Sequence, residues 1–250
     1  MIEIKNISKS FAHQDVLKSV SFTFETGKTN LIIGESGSGK TTLIRTMVGL
    51  IEPDAGEVLF DKRSFYALNT DEQKDIRKEI GMLFQGGALF DSKTVEENVM
   101  FPLSMFTSLS ESEKRDRANF CLQRVNLKNA NQLYPSELSG GMKKRVAIAR
   151  AIAVQPKYLF CDEPNSGLDP KTSIVIDNLI KEITEEYNIT TIVITHDMNS
   201  VVEMGEKVLF IYKGEKWWEG NRQEILKTTN QEVEDFVYAT QFMKTLKQKL

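Results

Sequence analysis

The chain is poor in cysteine, in long apolar runs and in net positive charge, and each shortage removes a class of protein. Its two cysteines, Cys121 and Cys161, lie far apart with no metal-ligand spacing. They exclude a disulfide-stapled scaffold and fit a reducing compartment. No uninterrupted apolar run approaches the roughly 18–20 residues of a membrane span, so any membrane role would be played from outside the bilayer. The N-terminal stretch MIEIKNISKS has no apolar h-region, and no secretory signal is expected. A formal charge of −3 argues against a non-specific nucleic-acid binder, and no nucleic-acid partner is expected. There is neither an internal repeat nor a low-complexity linker.

What is present is an ordinary globular composition, 40% apolar and 27% charged, over a length that suits one large domain or a domain with a subdomain. Residues 1–26 are rich in Ile, Val and Phe and read as two strands around the polar turn Ala12 to Asp15. NLIIGESGSGKTTLIRTMVGL reads as an apolar strand, a glycine loop and a helix. GEVLF at 56–60 is a further strand, and Thr70 with Gln73 resembles a capping box before a short charged helix. The stretch 95–136 reads as a helical insertion: Ser110 and Glu113 form a capping box, and Ala118, Cys121, Leu122 and Val125 make one apolar face. Next come the strand candidates YLFCD (158–162), TTIVIT (190–195) and KVLFIY (207–212), with a helix at 172–187 between the first two. Buried strands alternating with helices predict an α/β fold with a largely parallel sheet.

Three stretches carry chemistry. Gly34-Glu35-Ser36-Gly37-Ser38-Gly39-Lys40-Thr41 fits the pattern G-x-x-x-x-G-K-[ST], and Thr42 follows on the helix. Its glycines free backbone N–H groups to wrap phosphates at a helix N-terminus; Lys40 would reach the β- and γ-phosphates and Thr41 would ligate Mg²⁺. YLFCDE ends a strand in two acids, which places Asp162 to hold Mg²⁺ through water and Glu163 to polarise an attacking water. LSGGM, residues 138–142, opens a helix with Ser139, Gly140 and Gly141, and poor helix formers at that position suit a second anion site. A nucleotide sandwiched between two chains explains why one chain carries two such helix ends.

Taken in order, the P-loop, Gln85, LSGGM, the acidic strand, Ser166-Gly167-Leu168-Asp169 and His196 resemble an ABC transporter nucleotide-binding domain. The resemblance implies an ABC ATPase fold over residues 1–220: a RecA-like core, an antiparallel β subdomain and an inserted helical subdomain at about 95–150. Residues 221–250 would be a C-terminal helical extension. It further implies ATP and Mg²⁺ as cofactors, and Gln85 as a sensor of Mg²⁺ and attacking water. Asp169 would lie at a dimer interface, His196 would contact the γ-phosphate and Phe11 would stack on adenine. FQ-x-GALF at 84–90 together with PSELSGGM at 135–142 is similar to the Mla/MCE-type phospholipid transport ATPases. That similarity implies a homodimer on the cytoplasmic face of the inner membrane, held by integral permease subunits and working with a periplasmic MCE-type lipid-binding subunit. A small-solute importer, a lipoprotein-release ATPase, a soluble ABC protein of ribosomes or DNA, and a P-loop kinase are the competing readings.

Two weaker features complete the reading. Lys143, Lys144 and Arg145 are expected on a solvated helix face, and Trp217 and Trp218 in the packing of the β subdomain. The tail stripe Val233, Phe236, Val237, Met243 and Leu246 is expected to dock on the other ATPase subunit or on a regulatory partner.

Overall fold

Successive residues of the apolar strands point to opposite faces, and in this chain both faces are buried. The computed structural model describes residues 1–12, 14–239, 243, 244 and 247. It begins with β1 (Ile2–Phe11), β2 (Gln14–Phe24), β3 (Thr29–Ile33) and α1 (Lys40–Met47). Next are β4 (Ala55–Phe60), β5 (Arg63–Ser64), α2 (Thr70–Lys78) and β6 (Ile80–Leu83). Helices α3 (Val95–Phe106), α4 (Glu111–Arg124) and α5 (Gly140–Ile152) form the helical block. The chain continues through β7 (Tyr158–Asp162), α6 (Pro170–Tyr187), β8 (Thr190–Ile194), α7 (Met198–Met204), β9 (Lys207–Tyr212) and β10 (Glu215–Gly220). Two short helices follow, α8 (Arg222–Ile225) and α9 (Gln231–Val237).

The strands make two sheets. An antiparallel sheet runs β2-β1-β4-β5, and a six-stranded sheet runs β10-β9-β3-β8-β7-β6. Strands β9, β3, β8, β7 and β6 are parallel, with β10 antiparallel at the edge. Ile32, Phe160, Ile192, Ile194, Leu209 and Ile211 turn to the side shared with the small sheet and α1. Their neighbours Leu31, Ile33, Leu159, Cys161, Val193 and Phe210 pack with the helices on the other side. A strand buried on both faces has no polar positions to alternate, which is why these segments read as continuous apolar runs.

Helices α3 and α4 lie within the stretch 95–136. Ala118, Cys121, Leu122 and Val125 are buried against the rest of the helical block, with Val95, Val99 and Val146. Ser110 and Glu113 close the predicted capping box, and Thr94 with Glu97 supplies another at the head of α3. Burial pushes the Cys121 thiol up to about 11, so it stays protonated and inert at neutral pH.

Three expectations are corrected. The capping box at α2 is one residue earlier: Asn69 accepts from the Asp71 and Glu72 amides at 3.0 Å, and Glu72 accepts from the Asn69 amide. Asn ranks above Thr as an N-cap, and Gln73 instead donates to the carbonyls of Phe65 and Leu68. The tryptophans lie on β10, at the edge of the large sheet rather than in the small one. Trp218 packs on the main core while Trp217 stays exposed and donates to Glu232 at 3.0 Å. Finally, the tail docks on its own chain as far as Tyr238: Val233 and Val237 are buried, Phe236 lies 5.3 Å from Phe210, and Tyr238 donates to the Leu226 carbonyl. Leu246 of the proposed stripe lies outside the described residues.

Candidate active site

Four parallel strands end at one level. Leu83 pairs with Cys161, Asp162 with Ile194, and Ile194 with Ile32. Beyond that level β3 leads into Gly34, β6 into Gln85, β7 delivers Asp162 and Glu163, and β8 leads to His196. Parallel sheets gather ligands at the carboxyl ends of their strands, so the topology alone brings these distant residues to one rim.

The loop after β3 is built for close backbone approach. Gly34 has φ 146°, and a Cβ there would stand 2.2 Å from the Ile211 carbonyl oxygen, so no side chain fits. Glu35, Ser36 and Gly37 are exposed, Ser38, Gly39 and Lys40 are buried, and Thr41 and Thr42 are half-buried in the first turn of α1. The Ser38 hydroxyl is buried without a hydrogen-bond partner, an unused donor in the glycine-rich loop. The Lys40 ammonium donates to the carbonyls of Gly34 at 2.9 Å and Glu35 at 2.7 Å, at the mouth of the loop. Burial lowers its pKa, against the pull of Glu163, Asp162 and Glu35. A cradle of amides, an unpaired hydroxyl and a desolvated ammonium fit a polyphosphate chain.

Asp162 and Glu163 face this loop. Burial, and then the neighbouring Glu163, raise the Asp162 carboxyl above its ordinary value, a cost that a bound cation would offset. Glu163 adopts φ 47° immediately before Pro164, a strained conformation for a residue with a side chain. Each of its carboxylate oxygens has its own partner: Gln85 Nε2 donates to Oε2 at 3.2 Å, and His196 Nδ1 meets Oε1 at 2.9 Å. Thr41, Gln85 and Asp162, the predicted Mg²⁺ ligands, thus belong to one rim, and their hydroxyl, amide and carboxylate oxygens suit a hard cation.

The other predicted residues stand apart from this cluster. Phe11 is half-exposed at the end of β1, with the Lys9 ammonium 5.5 Å from its ring centre. Ser139 is exposed and caps α5, accepting from the Met142 amide at 3.3 Å. A Cβ on Gly140 would lie 3.4 Å from Leu168, and one on Gly141 only 2.7 Å from Thr172. The second glycine therefore has a packing reason as well as any ligand reason. Asp169 caps α6, accepting from the amides of Lys171 and Thr172 at 3.1 and 3.0 Å.

Lys144 departs from the solvated face expected for it. It is buried, and its ammonium donates to the backbone carbonyls of Gln85 and Glu163, the latter at 3.4 Å. From the same helix Arg150 donates to the carbonyls of Ala88 and Gly87 at 2.7 and 2.6 Å. Helix α5 thus grips the loop that carries Gln85. The signal is in the periodicity: Lys144 shares a helical face with Ala147, Ile148 and Ala151, all buried. Lys144→Met leaves two carbonyls unpaired and is expected to lower unfolding free energy by about 1–3 kcal/mol, read from the midpoint of urea denaturation. An unchanged midpoint would show that water substitutes for the ammonium.

Residues 17–166, from β2 through the acidic strand, match the family described as ABC transporter. The chain belongs to that family. This cassette is 41% identical over 225 residues to the methionine import ATP-binding protein MetN of Clostridioides difficile, covering 90% of this chain and 70% of that protein. It is 38% identical over 237 residues to the intermembrane phospholipid transport system ATP-binding protein MlaF of Haemophilus influenzae, covering 95% of this chain and 90% of the relative. Among solved structures it matches the dimeric post-hydrolysis state of the ATP-binding cassette MJ0796 bound to ADP and Pi, with a TM-score of 0.81 and 36% identity over 89% of this chain and 99% of the other. The cassette is an ATPase with the α/β ABC ATPase fold, and ATP with Mg²⁺ is its cofactor set.

Proposed function

We propose that this ATPase drives phospholipid movement between the inner membrane and the cell envelope. In this reading it works as a pair of identical chains on the cytoplasmic face, bound to integral permease subunits and paired across the membrane with an MCE-type lipid-binding subunit. The observation that carries the lipid reading is the loop Gln85 to Phe90, with its GGALF run. Arg150 fastens the carbonyls of Gly87 and Ala88 to α5, the helix on which Met142 follows the two glycines. The two stretches that are similar to the lipid-transport subfamily therefore act as one piece. Similarity to MlaF over nearly the whole chain supports the same reading. Similarity to MetN supports a second, a methionine or other small-solute importer.

The reaction uses the residues at the strand ends. Glu163 is the general base: held at both carboxylate oxygens by Gln85 and His196, it has one orientation in which to accept a proton from water. Loop 34–41 positions the phosphates, with the Lys40 ammonium within reach of them. Thr41, Asp162 and Gln85 would hold Mg²⁺, which when bound would supply charge neutralisation on the phosphate oxygens. Phe11 offers a ring for the adenine. Ser139, Gly140 and Gly141 serve the facing chain's nucleotide, and Asp169 borders that interface. Among the described residues no helix is long and apolar enough to cross a membrane, so the permease supplies the span. Exposed Leu50 and Phe84 line a groove of about 340 Å³ with Arg45 and Met82 and offer the permease an apolar seat.

Purification of the full chain from membranes, through an affinity tag, tests the cargo. The lipid reading expects an integral permease and a lipid-binding subunit to copurify, with phospholipid detected in the complex by mass spectrometry. A complex free of lipid whose ATPase responds to an amino acid would replace it with the importer reading and leave the ATPase assignment standing.

A further inference from the structure

Asp177 lies in the middle of α6 and is 2% exposed, yet it carries a carboxylate. One of its oxygens accepts from Asn165 Nδ2 at 2.6 Å and the other from the Ser200 hydroxyl at 2.8 Å. Asn165 Nδ2 also donates to Ser200 Oγ at 3.0 Å, which closes the triangle. Both donors are neutral, and burial pushes the carboxyl up to about 6 in spite of them. An ionised carboxylate in such a place costs stability at neutral pH, so packing and stability give no reason for it. Departures from the rules of a good core tend to mark residues that serve a site.

The two segments joined by the triangle are the two that carry the reacting pair. Asn165 is in the turn that leaves β7, just after Glu163 and Pro164, and Ser200 is on α7, the helix that follows His196. The contact between His196 and Glu163 is itself open to solvent, the His196 side chain being 61% exposed. Contacts that open are weak and do not hold a geometry alone. Glu163 adds backbone strain, which persists only where surrounding structure fixes it. The triangle, with Asp177 and Ser200 buried, ties the same two segments together.

We propose that Asp177 is a positioning residue: it locks the turn after β7 to α7 and so holds Glu163 and His196 in register for hydrolysis. The inference rests on the reading of Glu163 and His196 as the reacting pair and deepens it. The triangle joins the turn after β7 to the helix after β8, so its loss leaves the phosphate loop intact and lets the base drift from its partner. Small displacements of a catalytic group reduce rate far more than they reduce binding.

The test combines kinetics with a direct view of the histidine in the purified full chain. Asp177→Ala is expected to lower kcat about tenfold and to leave KM for ATP within about twofold. Asp177→Asn, which offers an acceptor and a donor at the same points, restores most of kcat. The chain has two histidines, so the His196 ring resonances are assigned by comparison with His196→Ala. In Asp177→Ala they are expected to move toward their positions in Glu163→Gln, where the carboxylate contact is lost. Wild-type kcat in Asp177→Ala, or a kcat loss with unmoved His196 resonances, overturns the proposal. Ser200→Ala, which removes one hydroxyl and no charge, carries the same two readouts if Asp177→Ala does not fold. Wild-type hydrolysis in both Glu163→Gln and His196→Ala would instead overturn the reacting pair, and this proposal with it.

Discussion

Glu163→Gln is expected to lower ATP turnover by a factor on the order of 10²–10⁴, the range that a general base contributes, while ATP still binds. The carboxylate accepts on both oxygens, from Gln85 at 3.2 Å and alongside His196 at 2.9 Å. An amide at the same place has one acceptor oxygen and must turn its NH₂ toward one of those partners. It also has no basic site for the proton of the attacking water. Binding is spared because the phosphate loop, with its unpaired Ser38 hydroxyl and the Lys40 ammonium, is a separate segment. ATP-bound dimer should therefore accumulate and be seen by size-exclusion chromatography with ATP present. Wild-type turnover in the variant would remove Glu163 from its role.

The second large effect separates the two phosphate-ready helix ends. Lys40→Ala should weaken nucleotide binding by a single chain, because it deletes the cation at the phosphate loop. Ser139→Arg should leave that affinity unchanged and block dimer closure and hydrolysis, because it sets a bulky cation on an exposed helix end meant for the facing chain's nucleotide. Ser139 is also the N-cap of α5, so Ser139→Ala serves as the control. It should lose about 1 kcal/mol of stability through the missing cap without steric blockade. Nucleotide affinity is measured by titration of the full chain, and closure by size exclusion in the Glu163→Gln background. Equal losses of affinity in Lys40→Ala and Ser139→Arg would contradict a sandwich of two chains.

Much of the fold and of the candidate site is legible in the amino-acid sequence. Loop 34–41, the acidic end of β7 and the capped insertion are local: their meaning lies in residue types at fixed spacing, and neighbours in sequence become neighbours in space. Strand β6 is not legible, because Ile80–Leu83 is four residues long and follows directly on a charged helix, too short to show a period. The tryptophans lie in the large sheet and not the small one, a difference that a strand's own sequence does not state, since pairing depends on the partner. The tail stripe suggests a seat on another chain, yet Phe236 meets Phe210 of its own, a contact that no pattern within the tail encodes.

The sequence by itself determined the chemistry on offer: a phosphate cradle, a carboxylate pair at a strand end, a second helix end rich in glycine, and apolar strands buried on both faces. These follow from backbone freedom, charge and periodicity, which act over a few residues. Only the tertiary structure decided which of these meet. Gln85, Glu163 and His196 come together because β6, β7 and β8 are adjacent and parallel and end at one level, a fact of strand order. Lys144 became a buried grip on the Gln85 loop, and Asp177 a buried tie between the turn after β7 and α7, because α5 and α6 pack on the same side of the sheet. A charged residue's identity says that it prefers water, and only the packing around it shows what it gains by leaving.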